Sequence, residues 1–353
     1  MSTRPTVFVG LSGGVDSSVA ALRLKKRGFN VVGVFIKVWH PDFMVCNWEA
    51  ERLDAMRVAA HLGIPFLTCN AEVAYRDEVA RYFIEEYKAG RTPNPDVLCN
   101  KEVKFGAFLK FAKAHDADFI ATGHYAQKIK EGAGRSDLYR GVDHNKDQTY
   151  FLWSLTTDQL DFALFPVGDT DKKAIRKEAA AAGIPTAVKK DSQGVCFLGH
   201  IDIPEFLSHY TDLVPGDVLD EKGAVIGTHQ SALVYTLGQR HGFTLTTNDT
   251  SRKQHYVIAK DIEKNTITVS TELSQVSETE TVTLTNVILR TSVTINDQLE
   301  AQFRYRQTPF AIKIIGIEPE LVIQPLVETE RPASGQSCVI YKGSLCVGGG
   351  IIK

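Results

Sequence analysis

The sequence contains no C-x-x-C pair, and its six cysteines (positions 46, 69, 99, 196, 338 and 346) are scattered. That spacing signals neither a disulfide scaffold nor a thiolate-ligated zinc or iron–sulfur site, and no protein-bound metal is expected. No apolar run approaches the ~20 residues that a membrane-spanning helix requires. The N-terminal stretch MSTRPTVFVGLSGG lacks the cationic segment, long apolar core and small-residue cleavage site of a secretory leader. A cytoplasmic protein is expected, and in a reducing compartment each cysteine serves either packing or chemistry. Charge of one sign is also missing: 40 Lys and Arg against 42 Asp and Glu leave a net −2. A uniformly basic nucleic-acid binder is thereby excluded, whereas a local basic patch is not. No internal repeat or low-complexity tract interrupts the 353 residues.

What is present changes character along the chain. In the first ~200 residues, strand and helix signals alternate. The runs TVFVGL, FNVVGVFIKVW, IPFLTC and ADFIATGH read as strands. Between them, VDSSVAALRLKKRG places Val15, Val19 and Leu22 at helical spacing with Gly28 as a stop, and WEAERLDAMRVAAHLG ends at Gly63. Further helices are expected over about 72–89 and 103–115. Strands joined by crossover helices imply an α/β domain with a parallel sheet covered on both faces. Beyond residue 205 come β-rich runs broken by turn residues, such as ETVTLTNVILRTSVTI and PFAIKIIGIEPELVIQP. The boundaries are therefore set at 1–204 for the α/β domain, 205–274 for a small central domain and 275–353 for a β-barrel.

A glycine-rich loop joins the first strand to the first helix: Gly10, Leu11, Ser12, Gly13, Gly14, Val15, Asp16 and Ser17. Glycines let a backbone approach phosphate closely, and the free N–H groups of a helix N-terminus bind anions. Asp16 reads as a magnesium contact or a helix cap. The loop is neither a Walker A nor a G-x-G-x-x-G motif. Its S-G-G-x-D-S-S pattern resembles the PP-loop of ATP pyrophosphatases, which implies ATP, with Mg2+, cleaved to AMP and pyrophosphate while a substrate oxygen is adenylated.

Two cysteines lie in polar surroundings. Cys196 sits in KKDSQGVCFLGH, between Gly194 and Gly199, a stretch that reads as a turn. Cys99 closes the proline-punctuated loop AGRTPNPDVLC, ahead of a helix carrying Lys101 and Lys104. Cations and a helix N-terminus lower a thiol pKa from its free value of ~8.5, and Asp96 stands three residues before Cys99 as a general acid or base. Taken alone, Cys99 also reads as a passive loop residue. Two such thiols in one nucleotide-binding domain point to exchange with a sulfur-carrying intermediate. Cys69, Cys338 and Cys346 fall in apolar strands and read as packing. Cys46, in HPDFMVCNWEAERLDA, reads as inert, with a third thiol or a metal ligand left open.

The segments GLSGGVDSS, AGRTPNPDVLCNKEVKF, ATGHYA, NKDQTYFLW, LFPVG, KKDSQGVCFLG, LGQRHG, RYRQ and GQSCVIYKG occur in this order from first strand to last. Together they resemble the tRNA-specific 2-thiouridylase family. The resemblance implies a Rossmann-like PP-loop catalytic domain, a central domain and a C-terminal β-barrel. It implies ATP-dependent 2-thiolation of the wobble uridine of tRNA: uridine O2 is adenylated, a Cys196 persulfide supplies sulfur, and Cys99 resolves it, leaving a disulfide. Its partners are then tRNA and an upstream persulfide relay protein, and a monomer is expected.

The same resemblance carries Gly10 through Ser17, Ile36 and Gly123 to ATP, and Asn94, Pro95 and Asp96 to the target base. His124, Lys146, Asp147, Gln148, Arg304, Tyr305 and Gln336 match positions tied to tRNA. Ile36 stands where the family commonly has methionine, a swap that a backbone contact would survive. His124 follows DFIATG at a strand end, where α/β sites lie. Arg304, Tyr305 and Arg306 offer phosphate contacts around a stacking ring, or a solvated strand face. Lysines 101, 104, 110 and 113 read as a solvated helix face, or as a tRNA-facing patch. Two other functions compete: a PP-loop ATP-dependent ligase acting on a small molecule, and a non-catalytic RNA-binding protein. The first has no need of paired loop cysteines, and the intact loop speaks against the second.

Overall fold

The computed structural model describes residues 4–44, 48–130, 134–191, 194, 196, 199, 201–246 and 253–353. Cys46 and most of the stretch around Cys196 lie outside them. The chain divides into two compact units: Met1–Ala80, Pro95–His200 and Tyr341–Gly348 form one, and Arg81–Asn94, Ile201–Ile340 and Gly349–Lys353 the other.

The first unit is built on strands β1 (Thr6–Gly10), β2 (Asn30–Lys37), β3 (Phe66–Asn70) and β4 (Phe119–Ala121). An antiparallel hairpin, β5 (Ala126–Lys130) with β6 (Ser136–Arg140), follows, and then the short β7 (Ala163–Leu164). The sheet runs β3-β2-β1-β4-β7 and its pairings are parallel. Val7, Phe8 and Val9 are all buried, so both faces of β1 are covered, which explains its unbroken apolar sequence. Helices α1 (Val15–Lys26) and α2 (Trp48–Leu62) contribute Val15, Val19, Leu22, Ala55, Val58 and Leu62 to one core cluster with β1. Parallel register puts the loops after β1 and β4 at the same edge of the sheet, where ligands of open α/β sheets bind.

One expectation fails instructively. The prolines before Cys99 do not exclude regular structure: helix begins at Pro95–Leu98, continues in wide turns over Cys99–Ala107 and ends in Phe108–Lys113. Proline is favoured in a first helical turn, where its missing N–H has no partner to lose and its φ is preset. Cys99 is consequently a helix residue with no exposed surface rather than a loop thiol. Wide turns also occupy Tyr75–Ala80, within the helix expected over 72–89.

In the second unit, Asp202 caps helix Ile203–Ser208 by accepting the Glu205 N–H. A five-stranded sheet follows, formed by Phe243–Leu245, Val225–His229, Gly216–Leu219, Thr266–Ser270 and Tyr256–Asp261 in that spatial order. Strands Val282–Leu289, Leu321–Pro325, Phe310–Gly316, Gln298–Gln302, Ser337–Lys342 and Leu345–Ile352, of which Tyr341–Gly348 belong to the first unit, close into a six-stranded barrel, the last pairing with the first. Its interior takes alternate residues, among them Ile312, Ile314, Leu321 and Ile323. Among the described residues, no helix is long and apolar enough to cross a membrane.

Candidate active site

The glycine-rich loop leaves β1 with Leu11 N–H still bonded to Val34 O at 2.8 Å, so Leu11 stays tied to β2 with its side chain in the core. The chain then turns through Gly13 at φ +69°, where a Cβ would lie 2.7 Å from Cβ of Asp54. Gly14 caps α1 without a side chain to satisfy the first-turn N–H groups, so these remain available to an anion. Ser12 and Ser17 brace the loop: Ser17 Oγ accepts the Ser12 N–H at 3.3 Å, and Ser12 Oγ accepts the Gly14 N–H at 3.3 Å. Gly123, beyond β4, packs so tightly that a Cβ would lie 2.6 Å from Ser17 N. Ile36 is buried in β2, its Cδ1 facing Gly10. This cradle of open N–H groups and hydroxyls fits a polyphosphate.

Asp16 is already engaged. Its carboxylate accepts the Tyr125 hydroxyl at 2.7 Å and the Lys172 ammonium at 2.7 and 2.8 Å. Lys172 also reaches Asp191 at 2.8 Å, and Asp191 is gripped by Lys146 and Arg176, each at 2.7 Å. Partial burial pushes the Asp191 carboxyl up, but hydrogen bonds from Lys146 and Lys172 outweigh it and bring the pKa to about 2. An ion chain thus runs from the glycine-rich loop to the root of the segment bearing Cys196. Among the described residues, no group of three or more His, Cys, Asp or Glu is placed to hold a metal ion.

The two thiols expected to act together do meet: Cys99 Sγ lies 3.3 Å from Cys196 Sγ. The Cys196 backbone is held at both ends, its N–H donated to Asp96 Oδ1 at 2.8 Å and its carbonyl accepting the Tyr75 hydroxyl at 2.9 Å. Their acidities are the reverse of what the lysines near Cys99 suggest. Burial pushes the Cys99 thiol up, whereas the hydrogen bond from Cys99 and the Lys104 charge draw the Cys196 thiol down. Asp96 is raised by burial, against the Cys196 N–H and the Lys104 charge. His124 is held well below its usual range by burial and by Lys104, and is therefore neutral; its Nδ1 shares a 2.8 Å hydrogen bond with Thr122 Oγ1. The rings of Phe105 and Phe165 pack around it, 5.9 and 6.4 Å away.

Other expected site residues are placed differently. Asp147 is buried, its carboxylate accepting from Arg140 at 3.1 Å, Gly141 N at 3.0 Å and Thr149 Oγ1 at 2.8 Å. Gln148 Oε1 accepts the Tyr125 N–H at 3.0 Å. In the second unit, Gln336 donates to Thr92 O at 3.2 Å, two positions before the half-buried Asn94. Arg304 binds Glu330 at 2.8 Å and Leu237 O at 3.2 Å, while the exposed Arg306 guanidinium stacks 5.1 Å from the Tyr305 ring. Cys69, Cys338 and Cys346 are buried, as their apolar context suggests.

Tyr75, Tyr125, Lys172 and Asp191 escape the sequence reading. Lys104, read both as a cation near Cys99 and as part of a solvated or tRNA-facing helix face, is half-buried. Nothing local marks the others, since each works through a partner more than 100 positions away or through a fold contact.

Three family models cover the chain in order: the tRNA methyl transferase HUP domain over residues 5–200, the tRNA methyl transferase PRC-barrel domain over 204–271, and the aminomethyltransferase beta-barrel domain over 279–352. A 4-thiouridine synthetase–RNA complex with bound ATP shares 20% identity at TM-score 0.35, covering 58% of this chain and 50% of that one. The tRNA-specific 2-thiouridylase MnmA of Lysinibacillus sphaericus is 44% identical, over 98% of this chain and 93% of its own. That of Bacillus subtilis is 42% identical, over 100% and 96%. With likeness of this degree along its whole length, the chain belongs to the tRNA-specific 2-thiouridylase family of transferases.

Proposed function

We propose that the protein catalyses ATP-dependent 2-thiolation of the wobble uridine of tRNA. The observation that carries this reading is the 3.3 Å approach of Cys99 to Cys196 in the unit that also holds the glycine-rich loop. A ligase or a methyl-group transferase has no use for such a pair.

ATP is a substrate here, its phosphates received by the N–H groups and hydroxyls of Gly10–Ser17, with Gly123 and Ile36 bounding the site. Because both Asp16 oxygens are occupied, magnesium would arrive on the ATP phosphates. Uridine O2 attacks the α-phosphorus and pyrophosphate leaves. The base must stand out of the anticodon stack for this, and Asn94, Pro95 and Asp96 are the residues proposed to hold it. His124, Lys146, Asp147, Gln148, Arg304, Tyr305 and Gln336 are proposed to serve tRNA binding, Asp147 by shaping its neighbours.

An upstream relay protein loads a sulfur onto Cys196 as a persulfide. Its terminal sulfur attacks C2, the C2–O bond breaks and AMP departs. The Cys99 thiol gives up its proton as its sulfur attacks Cys196 Sγ, the S–S bond to the base breaks, and the electron pair stays on the thiolated uridine, which takes up a proton. The sulfur is reduced while two thiols become a disulfide, which an external thiol reductant reopens.

Protein, ATP, magnesium, a persulfide donor and unmodified tRNA should yield thiolated uridine and AMP in equal amounts, read on a gel that retards thiolated tRNA. Cys196→Ser should abolish thiolation while adenylation survives. Normal thiolation by that variant would sink the assignment.

A further inference from the structure

The helical run Cys99–Ala107 is wound wider than an α-helix. The Phe108 N–H donates to Val103 O, five residues back, and a Cβ on Gly106 would lie 3.0 Å from Lys101 O. In α register, positions five apart project about 140° from one another. Turns closed from i to i+5 bring such positions back onto one face. Cys99 and Lys104 are five apart, so the wide winding carries the lysine round to the side of the thiol.

Lys104 is flanked by Val103 and Phe105, both without exposed surface, and its charge interacts most strongly with the Cys196 sulfur and next with that of Cys99. The described titratable groups facing this pocket are Asp96, Cys99, Cys196, Tyr75 and His124. His124 is neutral and Asp96 carries the wrong sign, so Lys104 supplies the cation.

Resting on the sulfur-transfer reading above, we propose that Lys104 is a catalytic cation of this site. Its ammonium stabilises the anionic form of the sulfur carried by Cys196, the thiolate when it forms and the terminal persulfide sulfur once loaded. The Cys196 proton goes to solvent, and the wide turn delivers the charge that replaces it. Burial, together with the same charge, keeps His124 from protonating.

The test uses neither tRNA nor ATP, so it is independent of thiolation, whose failure would refute the transfer reading instead. Iodoacetamide alkylation of Cys196 is followed against pH by peptide mass mapping. Lys104→Gln should raise the midpoint by about one pH unit or more, slowing alkylation near neutrality about tenfold, while Lys104→Arg stays near wild type. An unmoved midpoint in the Gln variant, or equal displacement in both, overturns the proposal. Should the Gln variant not fold, the wild-type chain decides. Blocking Cys196 with iodoacetamide should raise acetic-anhydride labelling of Lys104 several-fold, because the ammonium loses its anion. Unchanged labelling there overturns the proposal equally.

Discussion

Oδ1 of Asp96 accepts the backbone N–H of Cys196 at 2.8 Å, joining residues 100 positions apart. The bond serves both geometry and charge, and two substitutions separate these. Asp96→Ala removes the acceptor that anchors Cys196, so single-turnover thiolation should fall by about 10²-fold. Asp96→Asn keeps an oxygen in place but takes a negative charge away from two sulfurs, so Cys196 alkylation should shift to lower pH. If the Asn variant leaves that midpoint unmoved, the Asp96 charge does not reach the thiol.

The two sulfurs differ in acidity although they touch. Near neutral pH, Cys196 should be alkylated well before Cys99, which burial holds in its thiol form. Mild oxidation should form one intramolecular disulfide, since an S–S bond of ~2.05 Å needs the pair to close by only about 1.2 Å. Cys69, pushed up to about 11 by burial, should stay reduced. Peptide mapping reads both results, and Cys99 reacting first would invert their roles.

How far the sequence discloses this site follows from how far apart its parts lie. The glycine-rich turn between β1 and α1 is legible because glycines, hydroxyls and a strand–helix transition stand within eight residues. Cys69, Cys338 and Cys346 are correctly sorted because apolar neighbours surround them in the chain. Lys104 is legible as a cation near Cys99 but not as a partner of Cys196, since its side depends on wide winding that no residue type announces. The Lys172–Asp16 pair spans 156 positions, and only the parallel sheet brings it together. The helix start at Pro95 was misread because proline opens helices as readily as it breaks them.

Lys172 links Asp16 of the glycine-rich loop to Asp191, and removing it should weaken both. Lys172→Met should destabilise the chain by about 1–3 kcal/mol in urea unfolding and raise the apparent KM for ATP. The Asp191 carboxyl is depressed to about 2, below its unfolded value of ~3.9. Its stabilisation is therefore complete above pH ~4 and is lost as pH falls towards 2; at full strength it amounts to roughly 2 kcal/mol. Asp191→Asn should flatten the acid limb of the stability curve by that amount. A limb as steep as wild type would show that the ion chain contributes nothing.

Asp147 offers a sharper choice between roles. Its carboxylate lies inside the fold, bound by Arg140, Gly141 and Thr149, and the Arg140 guanidinium stacks 3.5 Å from the centre of the Tyr341 ring. Removing one partner of a buried ion pair costs about 3–5 kcal/mol because the remaining charge loses its compensation. Asp147→Ala should lose stability on that scale, with tRNA affinity falling only in proportion to the unfolded fraction. A residue that merely touched tRNA would behave in the opposite way. Its truncation would leave stability within about 0.5 kcal/mol while tRNA binding weakened outright. Urea unfolding and tRNA filter binding on the same preparation distinguish the two. The first pattern makes Asp147 the brace that fixes Lys146 and Gln148 in place, and the second makes it a contact.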